Sequence, residues 1–415
     1  MELSTKSSVE PIDDIDTLIE WLASFGRTEM EGVTRLLYTP EWLAAQKALE
    51  GKMRLLGLVP YFDEVGNLFG KLNGREKESA PIVTGSHIDT VINGGKYDGA
   101  YGILASLVAV SRLKSKYGTP KKSIEVVSLC EEEGSRFPLT FWGSGSITGR
   151  YNHSNIKDMY DSNGTSFLEA MRSSGFGQVE NSTPCLKEMD CFIELHVEQG
   201  SVLEIEGKTV GIVSHIVGQR RYNVVVVGES NHAGTTPMKY RQDALSTSSE
   251  LISYITRRAK EMDPTLVATV GKIMAKPNVP NVVAGEVTFS LDIRHHQEEV
   301  LDHFISDIFQ YFNNLATMNN VKITTSQWMD IKPVSMDENL IKLSENIVCS
   351  KNIPAKLLVS GAGHDSQVFG TYCPTSLLFV PSQKGISHSP KEYTKTAHLE
   401  MGIDILTELI YRLAY

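Results

Sequence analysis

The residues of this chain best suited to chemistry lie in two short segments, residues 85–99 and residues 131–133. The first segment, GSHIDTVINGGKYDG, contains His87, Asp89 and Asp98, and the second is the acidic triplet EEE. Imidazole and carboxylate groups bind divalent metals, and a spare carboxylate beside them can act as a general base. A His-x-Asp segment, an Asp followed by glycine and an acidic triplet together predict a site for two divalent metal ions.

Short apolar runs place these residues at the ends of predicted strands. The runs lie at 81–84, 123–130 and 192–195, with a helical pattern at 101–117. His87, the triplet and His196 each follow one of these runs. Strand–helix–strand order predicts an α/β fold, a mostly parallel sheet with helices on both faces. In such sheets, reactive groups gather at the carboxyl ends of the strands.

The pattern changes near residue 212. In the next segment, four strands are predicted at 221–228, 266–273, 286–294 and 321–328. Two helices are predicted between them, at 240–262 and 298–318. After it, runs at 355–360 and 375–380 predict buried strands, and 397–415 predicts a closing helix. We therefore expect a catalytic domain formed by 1–212 and 329–415, interrupted by an inserted α+β domain at 213–328.

Composition excludes several classes of partner. The formal net charge is −10, and no basic run with interleaved aromatic residues is present, which argues against nucleic acid. The N-terminus lacks a signal-peptide pattern, and no apolar run approaches the roughly 20 residues that span a bilayer. The five cysteines are scattered without CxxC spacing, which predicts reduced thiols. These observations predict a cytoplasmic protein with no membrane partner.

Five candidate metal ligands follow from this organisation: His87, Asp98, Glu133, His196 and His388. Small residues beside them allow loops to close round a metal, and oxygen and imidazole ligands without thiolate suit Zn or Mn. Taken singly, a histidine is more often an ordinary core or surface residue. Asp89 is expected to accept the far N–H of His87, or simply to cap a loop. Glu131 is either a solvated acid or a helix cap.

Seven longer motifs add a family resemblance. They are EEEGSRFPLTFWGS (131–144), FIELHVEQG (192–200), VGQRRY (217–222), GESNHAGTTPM (228–238), PNVVAG (280–285), SGAGHD (360–365) and GISHSP (385–390). Together they resemble the N-carbamoyl-L-amino-acid hydrolase and ureidopropionase branch of the two-metal superfamily of aminoacylases and carboxypeptidase-G-like enzymes. The resemblance covers nearly the whole chain. His196 separates this branch from related peptidases, which tend to carry Asp at that position.

The resemblance implies a ligand set and a base. Two divalent metal ions, Mn or Zn, are expected in each subunit. The first would be held by His87, Asp98 and His196, and the second by Asp98, Glu133 and His388. Glu132 is then the general base, which takes a proton from water and returns it to the leaving nitrogen.

The resemblance also implies that the inserted domain forms a homodimer and acts as a lid. His232 would reach the partner's active site and polarise the attacked carbonyl; without the resemblance it is an ordinary turn histidine. The implied substrate contacts are Gln219, Asn281, Arg294 and the backbone of Gly361 and Ala362. Arg294 has support from the pattern itself, because apolar and polar residues alternate over 287–294 and place it on the polar face. There it could bind a substrate carboxylate or form a surface ion pair.

The expected activity is hydrolysis of a ureido group on a small carboxylate. Polar residues in VGQRRY favour allantoate, whose second ureido arm needs hydrogen-bonding groups. The expected products are ureidoglycine, ammonia and carbon dioxide, in recovery of purine nitrogen. The alternatives are an N-carbamoyl-amino-acid or β-ureidopropionate hydrolase and, in another class, a non-catalytic metal-binding amino-acid sensor. The histidines outside the motifs are expected to be non-catalytic: His153, His215, His295, His296, His303 and His398.

Overall fold

The computed structural model describes residues 14–178 and 188–415. The chain divides into two compact units, the second of which is His215–Val334, inserted between Ser214 and Ser335 of the first. The second unit extends beyond residue 328, where the sequence predicted its end, because its last long strand continues to Ile331. Cys185 lies outside the described residues, and the other four cysteines are free thiols.

The strands are β1 (Val59–Phe62), β2 (Leu68–Leu72), β3 (Ile82–His87), β4 (Ile124–Leu129), β5 (Cys191–Val197), β6 (Val210–Ile216), β7 (Gly218–Val227), β8 (Asn231–His232), β9 (Val267–Thr269), β10 (Ile273–Lys276), β11 (Val282–Val283), β12 (Glu286–His295), β13 (Lys322–Ile331), β14 (Val334–Ser335), β15 (Ala355–Ser360) and β16 (Thr375–Val380). The helices are α1 (Ile15–Ala23), α2 (Pro40–Leu55), α3 (Ala100–Tyr117), α4 (Trp142–Ile147), α5 (His153–Ile156), α6 (Phe167–Ser173), α7 (Val202–Ile205), α8 (Ala244–Met262), α9 (Glu298–Asn319), α10 (Glu338–Ser350), α11 (Asp365–Phe369) and α12 (Thr396–Ala414). No helix among the described residues is long and apolar enough to cross a bilayer.

The first unit is built on a nine-stranded sheet whose centre is parallel. The strand order is β1-β2-β4-β3-β5-β16-β6-β14, and β15 also pairs with β6. The four central strands β4, β3, β5 and β16 are mutually parallel, whereas β1, β2 and β6 join antiparallel. The mostly parallel α/β sheet predicted from the sequence is confirmed. Parallel order brings the carboxyl ends of β3, β4 and β5 to one edge of the sheet.

Both faces of this sheet are covered by helices. Ile82 of β3 belongs to the large core that includes α3 and α12, whereas its neighbour Val83 packs in a smaller core with Ile147 of α4 and Phe369 of α11. Burial on both faces explains why apolar residues occur consecutively in the central strands instead of strictly alternating with polar ones. The strand β15 was predicted to be buried, and this is wrong: most of its residues are partly exposed, since it joins the sheet only through β6.

The second unit is an antiparallel sheet, of order β10-β12-β7-β13, with β9 also paired to β12. Along β12, Val287, Phe289, Leu291 and Ile293 are buried against α8 and α9, and the residues between them are partly exposed. The single strand predicted at 266–273 is wrong. The chain leaves the ladder around Gly271, and β9 and β10 pair with separate parts of β12.

Candidate metal centre

The candidate ligands meet at the carboxyl edge of the parallel strands. His87 is the last residue of β3, His196 lies near the end of β5, and the acidic triplet follows β4. Asp98 lies in the loop before α3. Gly99, next to it, has a φ of 63°, and a Cβ there would lie 2.5 Å from the Nδ1 of His87. Only glycine lets this loop approach the histidine so closely.

Asp98 lies at the centre of the cluster, with each carboxylate oxygen facing a different set of side chains. Its Oδ1 is 3.3 Å from the Nε2 of His87 and 3.2 Å from the Nε2 of His196. Its Oδ2 is 3.4 Å from the Nε2 of His388, which is also 3.4 Å from the Oε1 of Glu133. The structure thus forms two groups of potential ligands that share Asp98.

The contacts of His87 show that this arrangement fits a cation. Its Nδ1 lies 3.1 Å from the backbone carbonyl of Asp89 and 3.3 Å from the carboxylate of that residue, so Nδ1 carries a proton. In the neutral ring, Nε2 then holds a lone pair that faces the carboxylate of Asp98. Two such groups attract each other only through a proton or a metal ion between them. The donor set of imidazoles and carboxylates, without thiolate, fits a divalent metal.

The pKa values reflect the same demand for positive charge. Burial would raise the pKa of Asp98, but its contacts with His196, His388 and His87 hold that pKa well below its usual range. The contact with Asp98 raises the pKa of His388 to about 9. Burial and the charge of Asp98 raise the pKa of Glu133 to about 7. Metal ions bound here would compete with these protons.

Asp89 holds the acidic triplet in place. Its Oδ1 accepts the backbone N–H of Glu132 at 3.0 Å, and its Oδ2 accepts that of Glu133 at 3.1 Å. The sequence predicted the contact between His87 and Asp89, but it gave no sign of these two backbone bonds. Asp89 therefore connects β3 to the loop that follows β4.

The three acids of the triplet occupy different surroundings. Glu131 is buried and accepts the backbone N–H of Gly134, and it belongs to none of the potential ligand groups found among the described residues. Glu132 and Glu133 both lie near His87, but only Glu133 also joins Asp98 and His388. Burial raises the pKa of Glu132, with opposition from His87 and support from Glu133. Burial favours the protonated form of a carboxylate, which suits Glu132 to accept a proton.

Several polar residues around the cluster were missed in the sequence. Gln199 donates to the Oδ2 of Asp98 at 2.8 Å, and the hydroxyl oxygen of Ser387 lies 3.1 Å from the same oxygen. Glu194, buried within β5, accepts hydrogen bonds from the hydroxyls of Ser86 and Ser366, both at 2.7 Å. Glu194 could have been noticed in the sequence, because a charged residue in the middle of a buried strand requires polar partners.

Near the cluster, the segment SGAGHD leads into α11, which begins at Asp365. The side chain of His364 makes no capping bond, and its ring centre lies 4.6 Å from that of His196. Asp365 accepts the hydroxyl of Ser144 at 2.6 Å. The backbone N–H of Ala362, a predicted substrate contact beside Gly361, donates to the hydroxyl of Ser360 at 3.3 Å.

In the second unit, two predicted substrate contacts are cross-strand neighbours. Gln219 of β7 lies opposite Arg294 of β12, and both donate to the carboxylate of Asp292, at 2.8 and 3.1 Å. Arg221 also donates to this carboxylate, at 2.8 Å. Two guanidinium groups therefore share one carboxylate. Arg294 lies on the partly exposed face of the sheet, where alternation predicted it.

His232 and Asn281, the other two predicted contacts of this unit, are adjacent. His232 pairs with Val282 in the small β8–β11 sheet, and the backbone N–H of Ala233 donates to the carbonyl of Asn281. The Nδ1 of His232 accepts the N–H groups of Gly234 and Thr235, at 3.1 and 3.2 Å. In the neutral ring, the proton therefore lies on Nε2, where it can be donated.

A mostly parallel sheet that ends in imidazoles and carboxylates, with a buried acid beside them, defines the class of metal-dependent hydrolases. Residues 83–412 match the profile of peptidase family M20/M25/M40, and the chain belongs to this family.

Three relatives illustrate this membership. The chain is 49% identical to "Allantoate amidohydrolase" of Bacillus subtilis, over 100% of this chain and 99% of that protein. It is 43% identical to "Allantoate amidohydrolase" of Escherichia coli, over 97% and 98%. A solved amidase of the hydantoinase/carbamoylase family from Burkholderia multivorans is 32% identical, covers 96% of this chain and 97% of its own, and has a TM-score of 0.92.

The two hydrogen bonds that Asp89 accepts from the backbone of Glu132 and Glu133 lead to a first prediction. In Asp89→Asn only one side-chain oxygen remains, so the backbone N–H of either Glu132 or Glu133 loses its acceptor. We therefore expect metal affinity to fall about 10- to 100-fold. Titration of metal-free protein with Zn²⁺ measures this. Asp161→Asn is the control, because Asp161 also accepts two backbone N–H groups, those of Asn163 and Thr165. Equal metal affinity in Asp89→Asn and wild type would contradict the prediction.

Proposed function

We propose that this chain is an allantoate amidohydrolase, which hydrolyses a ureido C–N bond of allantoate to give ureidoglycine, ammonia and carbon dioxide. The observation that carries the proposal is the pair of ligand groups that share Asp98, with Glu132 buried beside them. The choice of substrate is supported by relatives of that name that align over nearly the whole chain.

We propose that the centre holds two divalent ions, Mn or Zn, one in each ligand group. His87, Asp98 and His196 would hold the first ion, and Asp98, Glu133 and His388 the second. When bound, such ions polarise a carbonyl and lower the pKa of water. The support is the sharing of Asp98, whose two oxygens face opposite ligand sets.

Glu132 is the proton carrier of the proposed reaction. It takes a proton from the attacking water, whose oxygen bonds to the ureido carbon. The bond between that carbon and the nitrogen attached to the central carbon of allantoate then breaks. Glu132 delivers the proton to this leaving nitrogen. The other product is carbamate, which decomposes to ammonia and carbon dioxide. The burial that raises the pKa of Glu132 suits it to both transfers.

Arg294 is proposed to bind the substrate carboxylate. A guanidinium group offers two parallel donors that match both carboxylate oxygens. Asp292 holds Arg294 through its Nε and Nη2, each at 3.1 Å, and this contact keeps the guanidinium group in one orientation. Gln219, on the same carboxylate, is proposed to contact the second ureido arm. Gly361 and Ala362 keep a lesser proposed role, since the N–H of Ala362 already has an acceptor.

The nearest alternative is a hydrolase of N-carbamoyl amino acids. Its support is the solved carbamoylase-family amidase, which covers nearly the whole chain. Allantoate places a second ureido arm where a carbamoyl amino acid carries its side chain. The side chains of Gln219, Arg221 and Asp292 on one face of the second unit are polar, which favours the ureido arm.

The second unit is proposed to act as a lid and to form a homodimer, in which His232 and Asn281 serve the partner's active site. A proton on Nε2 of His232 could be donated to the ureido carbonyl. The support for dimerisation is that large apolar side chains of this unit are exposed, Met238 by 76%, Tyr240 by 66% and Trp328 by 53%. Trp328 lies on β13, an edge strand, and unpaired edges favour association.

The proposed location is the cytoplasm. Cys130, Cys191, Cys349 and Cys373 are unpaired thiols, and cytosolic proteins keep their cysteines reduced. Redox-sensitive labelling in cells would test the compartment independently of the activity.

Removal of the base should separate binding from chemistry. We expect Glu132→Gln to keep both metal ions and the substrate affinity but to lose at least about 10²-fold in kcat, the usual contribution of a general base. Metal analysis and steady-state kinetics with allantoate measure this. Glu125→Gln, which alters a buried glutamate of the adjoining strand β4, is the control. Near-wild-type turnover, or loss of both ions, would show that Glu132 has another role.

Arg294→Lys should not be conservative. Lysine supplies one compact charge in place of a fork, so we expect a higher KM for allantoate and a lower kcat from a misplaced carbonyl. The decisive comparison is allantoate against its neutral amide. Wild type should discriminate strongly, and Arg294→Lys much less. Arg220→Lys, in which the altered arginine pairs with Asp330, is the control. If Arg294→Lys discriminates as strongly as wild type, another group binds the carboxylate.

A shared active site should allow complementation. Because His232 and Asn281 are neighbours in one subunit, a variant of either should be complemented by a variant in the metal centre. Subunit exchange between His232→Ala and Glu132→Gln should restore about one quarter of the wild-type rate, since half of the dimers pair unlike subunits and each holds one intact site. His232→Ala mixed with Asn281→Ala should restore none. A fully active monomer, or no recovery after confirmed exchange, would refute the arrangement.

A further inference from the structure

Glu392 is a buried carboxylate close to the metal centre. Only 3% of its surface is exposed, and burial of a charged group is unfavourable unless that group is hydrogen-bonded. Its Oε2 accepts the backbone N–H groups of Tyr97, at 2.9 Å, and Asp98, at 3.1 Å. Its Oε1 accepts the hydroxyl of Ser387, at 2.9 Å. All three contacts are made to residues that are, or adjoin, candidate ligands.

These contacts join two distant parts of the chain. Asp98 precedes α3, whereas Ser387 and His388 lie in the segment between β16 and α12. Ser387 also lies 3.1 Å from the Oδ2 of Asp98, so its hydroxyl bridges the carboxylates of Asp98 and Glu392. Glu392 therefore connects the backbone of one candidate ligand to the residue that precedes another.

The two ligand groups differ in how firmly the fold holds them. His87 and His196 are in adjacent parallel strands of the central sheet. His388 lies in a loop, its side chain is 49% exposed, and its φ of 53° is unusual for a residue other than glycine. Side-chain contacts, of Ser387 with Asp98 and of Gln199 with both Asp98 and His388, hold His388 near Asp98 in place of strand pairing.

We propose that Glu392 is a positioning residue that sets the separation between Asp98 and His388 and so determines the affinity of the second of the two metal ions. The inference rests on the proposed two-metal centre. Without Glu392, two buried N–H groups would lose their acceptor and the hydroxyl of Ser387 would lose one of its three polar neighbours. The distance between the Oδ2 of Asp98 and His388 would then increase. The distances from the Oδ1 of Asp98 to His87 and His196 would stay the same.

The test is metal stoichiometry and affinity in the full-length protein. Chelator-stripped wild type, Glu392→Gln and Glu392→Ala are titrated with Mn²⁺ in a calorimeter. We expect wild type to bind two ions, and both variants to bind one ion with wild-type affinity and the other at least about 10-fold more weakly. Glu392→Gln should be the milder variant, because its amide oxygen can still accept one bond. The kcat of the two Glu392 variants, relative to wild type, should be higher at saturating Mn²⁺ than at limiting Mn²⁺.

Two further variants keep the test decisive. Asp63→Asn is the matched control, because Asp63 accepts backbone N–H groups from Val65 and Asn67 and the side-chain amide of Asn67, and neither residue is or adjoins a candidate ligand. It should lose stability without any change in metal binding. If the Glu392 variants do not fold, Ser387→Ala, which keeps the carboxylate, should weaken the same ion to a smaller extent.

The possible outcomes separate the two proposals. Equal weakening of both ions, or wild-type binding of both in every Glu392 and Ser387 variant, would overturn the role of Glu392. If wild type itself binds fewer than two ions, the proposed two-metal function fails and the inference fails with it.

Discussion

The arrangement of the candidate metal centre depends on the charge of Asp98. This carboxylate is buried, and its two oxygens face three imidazoles, while Glu132 and Glu133 lie close by. Several carboxylates in an apolar interior repel one another and lose their hydration, so they require positive charge between them. Protons on the imidazoles or divalent metal ions supply it. Metal binding and the stability of this edge of the sheet are therefore linked.

The remainder of the centre is held by carboxylates that bind backbone. Asp89 accepts N–H groups of the acidic triplet, Glu392 accepts those of Tyr97 and Asp98, and Glu194 accepts that of Ser366. A carboxylate that accepts such bonds fixes the chain as well as its own side chain. Asp89 and Glu194 thus connect the acidic triplet and the start of α11 to strands β3 and β5, and Glu392 connects the loop before α3 to the segment between β16 and α12. The candidate ligands lie at strand ends and in the loops beyond them, and the parallel strands position them.

The location of the centre could be predicted because it follows from local patterns. His87, His196 and the triplet follow apolar runs, and parallel order brings strand ends together. The backbone bonds of Asp89 and Glu392 could not be predicted, since any residue supplies the N–H donor. The break at Gly271 was missed because apolar residues continue on both sides of it, and only pairing with β12 separates β9 from β10. The roles of the predicted ligands and substrate contacts remain predictions that the experiments address.

The most direct test of the account is anomalous diffraction from crystals of the Mn²⁺-loaded protein. We expect two anomalous peaks per subunit, about 4 Å apart as in other two-metal hydrolytic sites, and one oxygen of Asp98 should contact each peak. His87 and His196 should contact one peak, and Glu133 and His388 the other. A single peak, or two peaks that do not share Asp98, would contradict the central claim that this carboxylate organises the site.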